Sequence, residues 1–437
     1  MSLRFGTDGV RGRALSELSA AHVAALGRAG AQVLGGGRWL VGRDTRESGV
    51  VLERALVQGL AAAGAEPVVL GVVPTPGLAW AAAGADCPAA MITASHNPWH
   101  DNGVKLFAAG GTKLPDAVER AIESMFDPEH VDAFVHGHEI EAARSDASEH
   151  YLAHLVAGSE RLDGLRLVLD CANGATSGFA PRLFRALGAQ VQVLHAEPDG
   201  RNINEACGAT HTESLQRAVV ATDAELGLAF DGDGDRVIAV DHLGRVVDGD
   251  RLLALAALQL RERGELFRDT VVVTVMSNLG FHRAMAAAGI DVVTTAVGDR
   301  YVLEALEAGG YSLGGEQSGH IVYRELATTG DGMLAAARLA AFVHGHRRPL
   351  ADLASEVMTS YPQILLNVQV AGRHPDVAEE LAAEISEAAA RLGGDGRVLV
   401  RASGTEPLVR VMVEAATDEL ARSVAEDLAA AARARLA

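Results

Sequence analysis

The chain has 437 residues, a length that suggests about two to four domains. Hydrophobic residues make up 49% and charged residues 22%, an ordinary globular composition, and aromatics only 4%, so a core of mostly Ala, Val and Leu is expected. The formal net charge of -19 argues against nucleic acid and anionic membrane as partners. An anionic substrate would need positive charge gathered locally.

The three cysteines, Cys87, Cys171 and Cys207, are far apart and form neither a disulfide framework nor a CxxC zinc site, so a reducing compartment fits best. The first residues, Met1-Ser2-Leu3-Arg4-Phe5, lack the apolar segment of a signal peptide, and no apolar run is long enough to span a membrane. A soluble, cytoplasmic protein is expected. Of 38 basic residues only Lys105 and Lys113 are lysines. Lysine, unlike arginine, can lose its proton when desolvated, so both are worth following.

One pattern recurs three times along the chain: an apolar strand, a polar loop, a helical stretch, a glycine and a second strand. The first copy runs from Trp39–Gly42 through Arg43-Asp44-Thr45-Arg46 and Gly64 to Pro67–Leu70. The second runs from Leu165–Leu169 through Asp170-Cys171-Ala172-Asn173-Gly174 and Gly188 to Val191–Leu194. The third runs from Thr270–Val275 through Met276-Ser277-Asn278-Leu279-Gly280 and Gly289 to Ile290–Thr294. Short apolar strands alternating with helices predict βαβ units and mixed, largely parallel sheets covered on both faces. The three glycines sit where a helix end favours a left-handed residue. The C-terminal part reads differently, as a strand at Ile364–Val370, one helix over Pro375–Leu392, two strands at Val398–Arg401 and Leu408–Ala415, and a last helix from Asp418. The fold class is therefore α/β: three consecutive related α/β domains plus a C-terminal α+β domain. The boundaries expected are 1–150, 151–245, 246–360 and 361–437.

Four loops carry candidate chemistry. In Asp231-Gly232-Asp233-Gly234-Asp235-Arg236, three carboxylates at alternate positions can converge on one cation because the glycines permit a sharp turn. Oxygen-only ligands suit magnesium or calcium. An EF-hand fails, because its sixth position would be Arg236 and its twelfth His242. The plainer alternative is an acidic surface turn. Ser95, in Thr93-Ala94-Ser95-His96-Asn97-Pro98, sits at a strand end without a Gly-x-Ser-x-Gly elbow, so a hydrolase triad is unsupported. Such a serine is more often a helix cap, but beside a magnesium site its hydroxyl can carry a phosphoryl group. Asn102-Gly103-Val104-Lys105 could bring Lys105 to the same loop as acid or base.

In Gly314-Gly315-Glu316-Gln317-Ser318-Gly319-His320, Glu316 and Ser318 suit a hydroxyl-rich ligand, and His320 could exchange a proton near neutral pH. A lone histidine is usually structural, so this reading leans on its neighbours. In Arg401-Ala402-Ser403-Gly404-Thr405-Glu406-Pro407, with Arg410 beyond, two guanidiniums, two hydroxyls and amides around Gly404 make an anion cradle. The alternative is an ordinary hairpin turn. Arg11, in Phe5-Gly6-Thr7-Asp8-Gly9-Val10-Arg11-Gly12, is a further candidate for phosphate contact. Gly35-Gly36-Gly37 has no P-loop context and reads as a turn.

Taken together, these motifs, in this order from Phe5 to Arg410, resemble the α-D-phosphohexomutase family. The resemblance implies that Ser95 is a phosphoserine and that Asp231, Asp233 and Asp235 hold Mg2+ together with its phosphate. It implies an acid/base pair of Lys105 and His320, with Arg11 beside the transferring phosphoryl group. Arg236, Glu316 and Ser318 would bind the substrate, the last two through sugar hydroxyls. Arg401, Ser403, Gly404, Thr405 and Arg410 would grip the phosphate that does not react. Gly298-Asp299-Arg300-Tyr301 is similar to a loop that faces the sugar. Gln317 and the Phe5–Gly12 and Gly298–Tyr301 segments look like the branch acting on glucosamine phosphates. A methionine at position 317 would point instead to phosphoglucomutase/phosphomannomutase. Trp99-His100 departs from the aromatic pair expected after Pro98.

The expected activity is interconversion of glucosamine 6-phosphate and glucosamine 1-phosphate through a sugar 1,6-bisphosphate, in amino-sugar supply for the cell wall. A metal-dependent sugar phosphatase and a non-catalytic phosphosugar sensor are the rivals. The partner is a small-molecule phosphosugar. The oligomeric state is left open, with a homodimer admissible.

Overall fold

A computed structural model describes residues 4–6, 8–131, 142–372, 374–402 and 408–436. The first sheet contains β1 (Val10–Arg13), β2 (Gly37–Arg43), β3 (Ala65–Val72), β4 (Ala89–Ile92), β5 (Asp101–Phe107) and β6 (Ala143–Arg144), in the order β1-β5-β4-β2-β3-β6. Strands β4, β2, β3 and β6 are parallel, and β5 and β1 add on antiparallel. Side chains of β2 alternate between two cores. Trp39 and Val41 face the cluster containing Leu26, Leu52 and Leu56, while Leu40 faces Leu78 and Phe107. A strand buried on both faces has to be apolar throughout, which explains the unbroken Trp-Leu-Val run.

The second sheet has β7 (Arg166–Asp170), β8 (Gln190–Leu194), β9 (Leu226–Phe230), β10 (Val237–Asp241) and β11 (Val246–Val247), ordered β11-β10-β9-β7-β8. The third has β12 (Thr270–Thr274), β13 (Asp291–Thr295), β14 (Leu313–Gly315) and β15 (Ile321–Tyr323), ordered β13-β12-β14-β15. Gly64, Gly188 and Gly289 adopt positive φ of 82°, 97° and 68° after the helices of the three repeats. All three sheets join a parallel set to an antiparallel pair: β4–β5, β9–β10 and β14–β15. The turns inside those pairs are the Ser95, Asp231–Asp235 and Glu316–His320 loops. Each chemistry-bearing loop therefore leaves the carboxyl end of a strand in the parallel set, where α/β sheets usually bind ligands.

The fourth sheet is antiparallel, with β16 (Gln363–Gln369), β17 (Arg397–Ala402) and β18 (Leu408–Glu414) in the order β16-β18-β17. The fold class is the expected one. One element differs: the single helix expected over Pro375–Leu392 is two, Val377–Glu380 and Ala382–Leu392. The break at Leu381 lets Leu381 and Val377 both enter the core, where each is at most 1% exposed. Amphipathic periodicity cannot register such a break.

The chain divides into two compact units. One comprises residues 1–276 and 290–355. The other comprises Ser277–Gly289 with Glu356–Ala437. In the second unit the helix Leu279–Ala287 is tied to the C-terminal sheet domain: Leu279 N donates to Glu414 Oε2 at 2.9 Å and Asn278 Nδ2 to Tyr361 O at 2.9 Å.

Candidate active site

Ser95 is fully buried at the end of β4, with φ of 52°. Left-handed backbone costs a serine roughly 1–2 kcal/mol, so the surroundings must hold it there. Arg46 supplies much of that hold. Its side chain is fully buried, and all of its guanidinium nitrogens are used. Nη2 donates to the carbonyls of Ser95 (2.9 Å) and Asn97 (2.8 Å), Nη1 to those of Asp101 (3.0 Å) and Pro98, and Nε to Asp44 Oδ2 (2.9 Å). Asp44 also accepts from the Thr93 hydroxyl, which in turn accepts from Ser95 N at 2.9 Å. From the second sheet, Asn204 Nδ2 donates to the carbonyls of Ser95 (2.9 Å) and Asn97 (3.0 Å). The approach is close enough to require glycine at 232, where a Cβ would lie 2.5 Å from Ser95 O.

The Ser95 hydroxyl donates to Asp231 Oδ2 at 2.7 Å. It also lies 3.3 Å from Nδ1 of His96, whose ring is pushed down to about 4 by burial with Arg236 and Arg11 nearby, and so is neutral. Asp231, Asp233 and Asp235 are all buried, and each offers an oxygen within 4.8 Å of the others. Burial and the charges of Asp235 and Asp233 raise the Asp231 carboxyl well above the carboxylate range. Asp235 is opposed by burial, but Lys105, His320 and Arg236 hold it below that range.

Lys105 projects from β5 into this acid cluster, with Nζ 2.8 Å from Asp233 Oδ2, 2.8 Å from Asp8 Oδ2 and 3.1 Å from Asp235 Oδ2. Burial opposes its charge, yet Asp233, Asp235 and Asp8 raise its pKa well above that of a free lysine. Asp8 also accepts from Arg11 Nη2 at 2.8 Å, which fixes Arg11 at the mouth of the same cluster. Asp233 and Asp235 each keep a buried Oδ1 with no hydrogen-bond partner among the described residues. Paired orphan carboxylate oxygens in an oxygen-only cluster fit a hard divalent cation such as Mg2+.

The third-sheet loop closes the group. His320 and Arg236 form an isolated antiparallel bridge, which brings the loop against the aspartate turn. His320 is 1% exposed, and its Nε2 lies 3.2 Å from Gly330 N and 3.7 Å from Asp299 Oδ2. The first contact suits the neutral ring and the second the cation. Nδ1 of His320 and Oγ of Ser318 are buried without hydrogen-bond partners among the described residues. Glu316 Oε1 accepts from Gly298 N at 3.3 Å, joining the two loops expected to face the sugar.

In the C-terminal sheet, Arg401 and Arg410 are directly paired across β17 and β18. Burial and the Arg410 charge lower the pKa of Arg401. Two like charges set opposite each other are unfavourable unless an anion joins them. Ser403, Gly404 and Thr405 lie outside the described residues.

Thus Ser95, Lys105, Asp231, Asp233, Asp235, Arg236, Glu316, Ser318, His320 and Arg11 share one region of the first unit. Sequence reasoning missed Asp8, Arg46 and Asn204. Asp8 was inside a quoted motif and Arg46 inside a polar strand-end loop, but Asn204 stands in no motif.

Four family profiles of phosphoglucomutase/phosphomannomutase match most of the chain: α/β/α domain I over residues 2–131, domain II over 149–244, domain III over 248–361 and the C-terminal domain over 365–431. It is 54% identical to the phosphoglucosamine mutase of Frankia casuarinae, covering 99% of this chain and 98% of that protein. It is 52% identical to that of Rhodococcus jostii, covering 98% and 99%. Among solved structures, it resembles a phosphoglucomutase/phosphomannomutase family protein from Burkholderia thailandensis (TM-score 0.81, 28% identity, 98% of this chain and 97% of that one). It shares its fold with the Aspergillus fumigatus N-acetylphosphoglucosamine mutase solved with GlcNAc-6P and magnesium (TM-score 0.70, 20% identity, 100% and 96%).

Proposed function

The chain belongs to the phosphoglucosamine mutases of the α-D-phosphohexomutase family, and from that premise we propose that it interconverts glucosamine 6-phosphate and glucosamine 1-phosphate through a phosphorylated Ser95. The observation that carries this reading is the Ser95 hydroxyl 2.7 Å from Asp231, with Lys105 bonded to the other two aspartates.

In the forward direction the phosphoryl group leaves Ser95 Oγ for the free sugar oxygen. Lys105 supplies the proton that the serine oxygen needs as the P–O bond breaks. His320, the other member of the acid/base pair, takes up the proton of the sugar hydroxyl. The resulting sugar 1,6-bisphosphate turns end for end, and the other phosphoryl group returns to Ser95 with the proton transfers reversed. Asp231, Asp233 and Asp235 would hold Mg2+, which when bound supplies positive charge to offset that of the transferring phosphoryl group. Arg11, fixed by Asp8, serves the same charge from the protein side. Arg236, Glu316 and Ser318 would bind the substrate, with the last two on sugar hydroxyls. Arg401 and Arg410, with Ser403, Gly404 and Thr405, would grip the idle phosphate. The burial of Ser95 keeps water from its phosphate.

The natural setting we assign is the cytoplasm, with no nucleic-acid or membrane partner. Among the described residues no helix is long and apolar enough to cross a membrane.

The test is a side-by-side assay with Mg2+ and a trace of sugar 1,6-bisphosphate on glucosamine 6-phosphate, glucose 1-phosphate and mannose 1-phosphate. A clear preference for glucosamine 6-phosphate is expected. Preference for either neutral sugar would keep the mechanism and overturn the substrate, and steady release of inorganic phosphate would replace the mutase with a phosphatase.

A further inference from the structure

Both lysines lie in one partly buried chain of alternating charge, and the mechanism uses only the first. Lys105 Nζ is 2.8 Å from Asp8 Oδ2. Asp8 Oδ1 accepts from Lys113 Nζ at 2.6 Å, and Lys113 donates in turn to Asp299 Oδ2. That same Asp299 oxygen lies 3.7 Å from His320 Nε2. The order is therefore Lys105, Asp8, Lys113, Asp299, His320. Its first three members belong to the first sheet's domain and its last two to the third's.

The Lys113 side chain is 13% exposed and those of Asp8 and Asp299 are 18% and 10% exposed. Burial opposes the Lys113 charge, but Asp8 and Asp299 hold its pKa above that of a free lysine. A single nitrogen bonded to one oxygen of each of two carboxylates is a geometry for an ammonium. A planar guanidinium would need the carboxylates set differently. Asp299 opens the helix Asp299–Gly309, its Oδ1 accepting from Arg300 N at 2.8 Å. The preceding Gly298 donates to Glu316. Whatever fixes Asp299 thereby also fixes the approach of Glu316 and His320.

We propose that Lys113 is a positioning residue for the sugar side of the site. By bridging Asp8 to Asp299, it sets the distance between the groups beside the phosphoryl (Lys105, Arg11) and those beside the sugar (His320, Glu316). This rests on the mutase reading above. It predicts that Lys113 matters more for transfer to sugar than for the chemistry at Ser95, which Lys113 reaches only through Asp8, itself still held by Lys105 and Arg11.

The test compares two fates of the Ser95 phosphate in single-turnover experiments on the full-length phosphoenzyme with Mg2+: transfer to glucosamine 6-phosphate and slow hydrolysis by water. In Lys113→Met, transfer to sugar should fall by at least thirtyfold while hydrolysis stays within threefold of wild type. Because that variant takes from Asp299 the ammonium that separates it from Asp8, Lys113→Met/Asp299→Asn removes both charges and guards against misfolding. It should show the same split and be no slower than Lys113→Met, since the two residues act in series. Transfer within threefold of wild type in both variants would overturn the proposal, as would parallel changes in transfer and hydrolysis. A wild-type enzyme that forms phosphoserine but does not pass it to any sugar phosphate would instead sink the mutase reading.

Discussion

The Ser95 hydroxyl donates a 2.7 Å hydrogen bond to Asp231 Oδ2, across 136 residues of sequence and between the loops of two sheets. The nucleophile and the acid cluster are thus a single unit, joined again by Asn204, which reaches from the second sheet to the Ser95 carbonyl. Ser95→Ala removes the phosphoryl acceptor without disturbing either carbonyl contact. Mutase turnover should fall to background and the mass of covalently bound phosphate should vanish. Titration calorimetry should still show phosphosugar binding within a few-fold of wild type. Substantial residual turnover would refute a phosphoserine route.

Three buried aspartates with two orphan oxygens crowd like charge together, and burial with the charges of Asp235 and Asp233 raises the Asp231 carboxyl. Magnesium should therefore raise the unfolding midpoint as well as support activity. At about a hundredfold excess over Kd the gain is about 2.7 kcal/mol. Asp231→Asn should abolish most of that shift in differential scanning fluorimetry. An equal shift in the variant would place the cation elsewhere.

The cross-strand pair Arg401 and Arg410 sets like charge opposite like charge. Arg410→Gln relieves that repulsion and removes a phosphate contact. KM for the phosphosugar should rise roughly ten- to hundredfold, the range for a hydrogen bond to a charged group. The unfolding midpoint should stay the same or rise. A fall in midpoint with unchanged KM would make the pair structural.

Asp331 accepts from the Tyr151 hydroxyl at 2.8 Å and caps the helix Gly332–His346 through Leu334 N at 2.9 Å. Burial pushes its carboxyl up to about 6, against those hydrogen bonds. A carboxyl raised on folding binds protons better in the native state. Its contribution is present at low pH and is lost as pH climbs from about 4 to about 6. Asp331→Asn keeps the cap and removes the titration. Relative to the variant, the wild type should gain about 2 kcal/mol between pH 7.5 and pH 4.5. Paired denaturation curves showing a flat difference would mean that Asp331 stays ionised throughout.

Much of the site was legible because its parts are local words. The Asp-Gly-Asp-Gly-Asp turn, the Ser95 turn and the Glu316–His320 loop each carry their signal within seven residues, and each falls between an antiparallel strand pair. The supporting residues were illegible for the opposite reason. Arg46 meets its carbonyls 49 to 55 residues away, Asn204 meets Ser95 across 109, and Lys113 meets Asp299 across 186. No spacing rule links single polar residues over such distances. The same limit applies to Leu381, whose local sequence is good helix and whose break serves a core that only the folded chain contains.

The helix Leu279–Ala287 lies in the middle of the third α/β repeat but belongs to the second unit, held there by Glu414 and Tyr361. On the ribosome it therefore emerges well before its partners. Synthesis at about 5–20 residues per second leaves it waiting roughly 6 to 25 s before Glu414 appears. During that interval Leu279 N has no Glu414 carboxylate to donate to. The last domain thus completes a segment made 135 residues earlier, and a chain released before Glu414 would lack the contact that ties this helix to the C-terminal sheet.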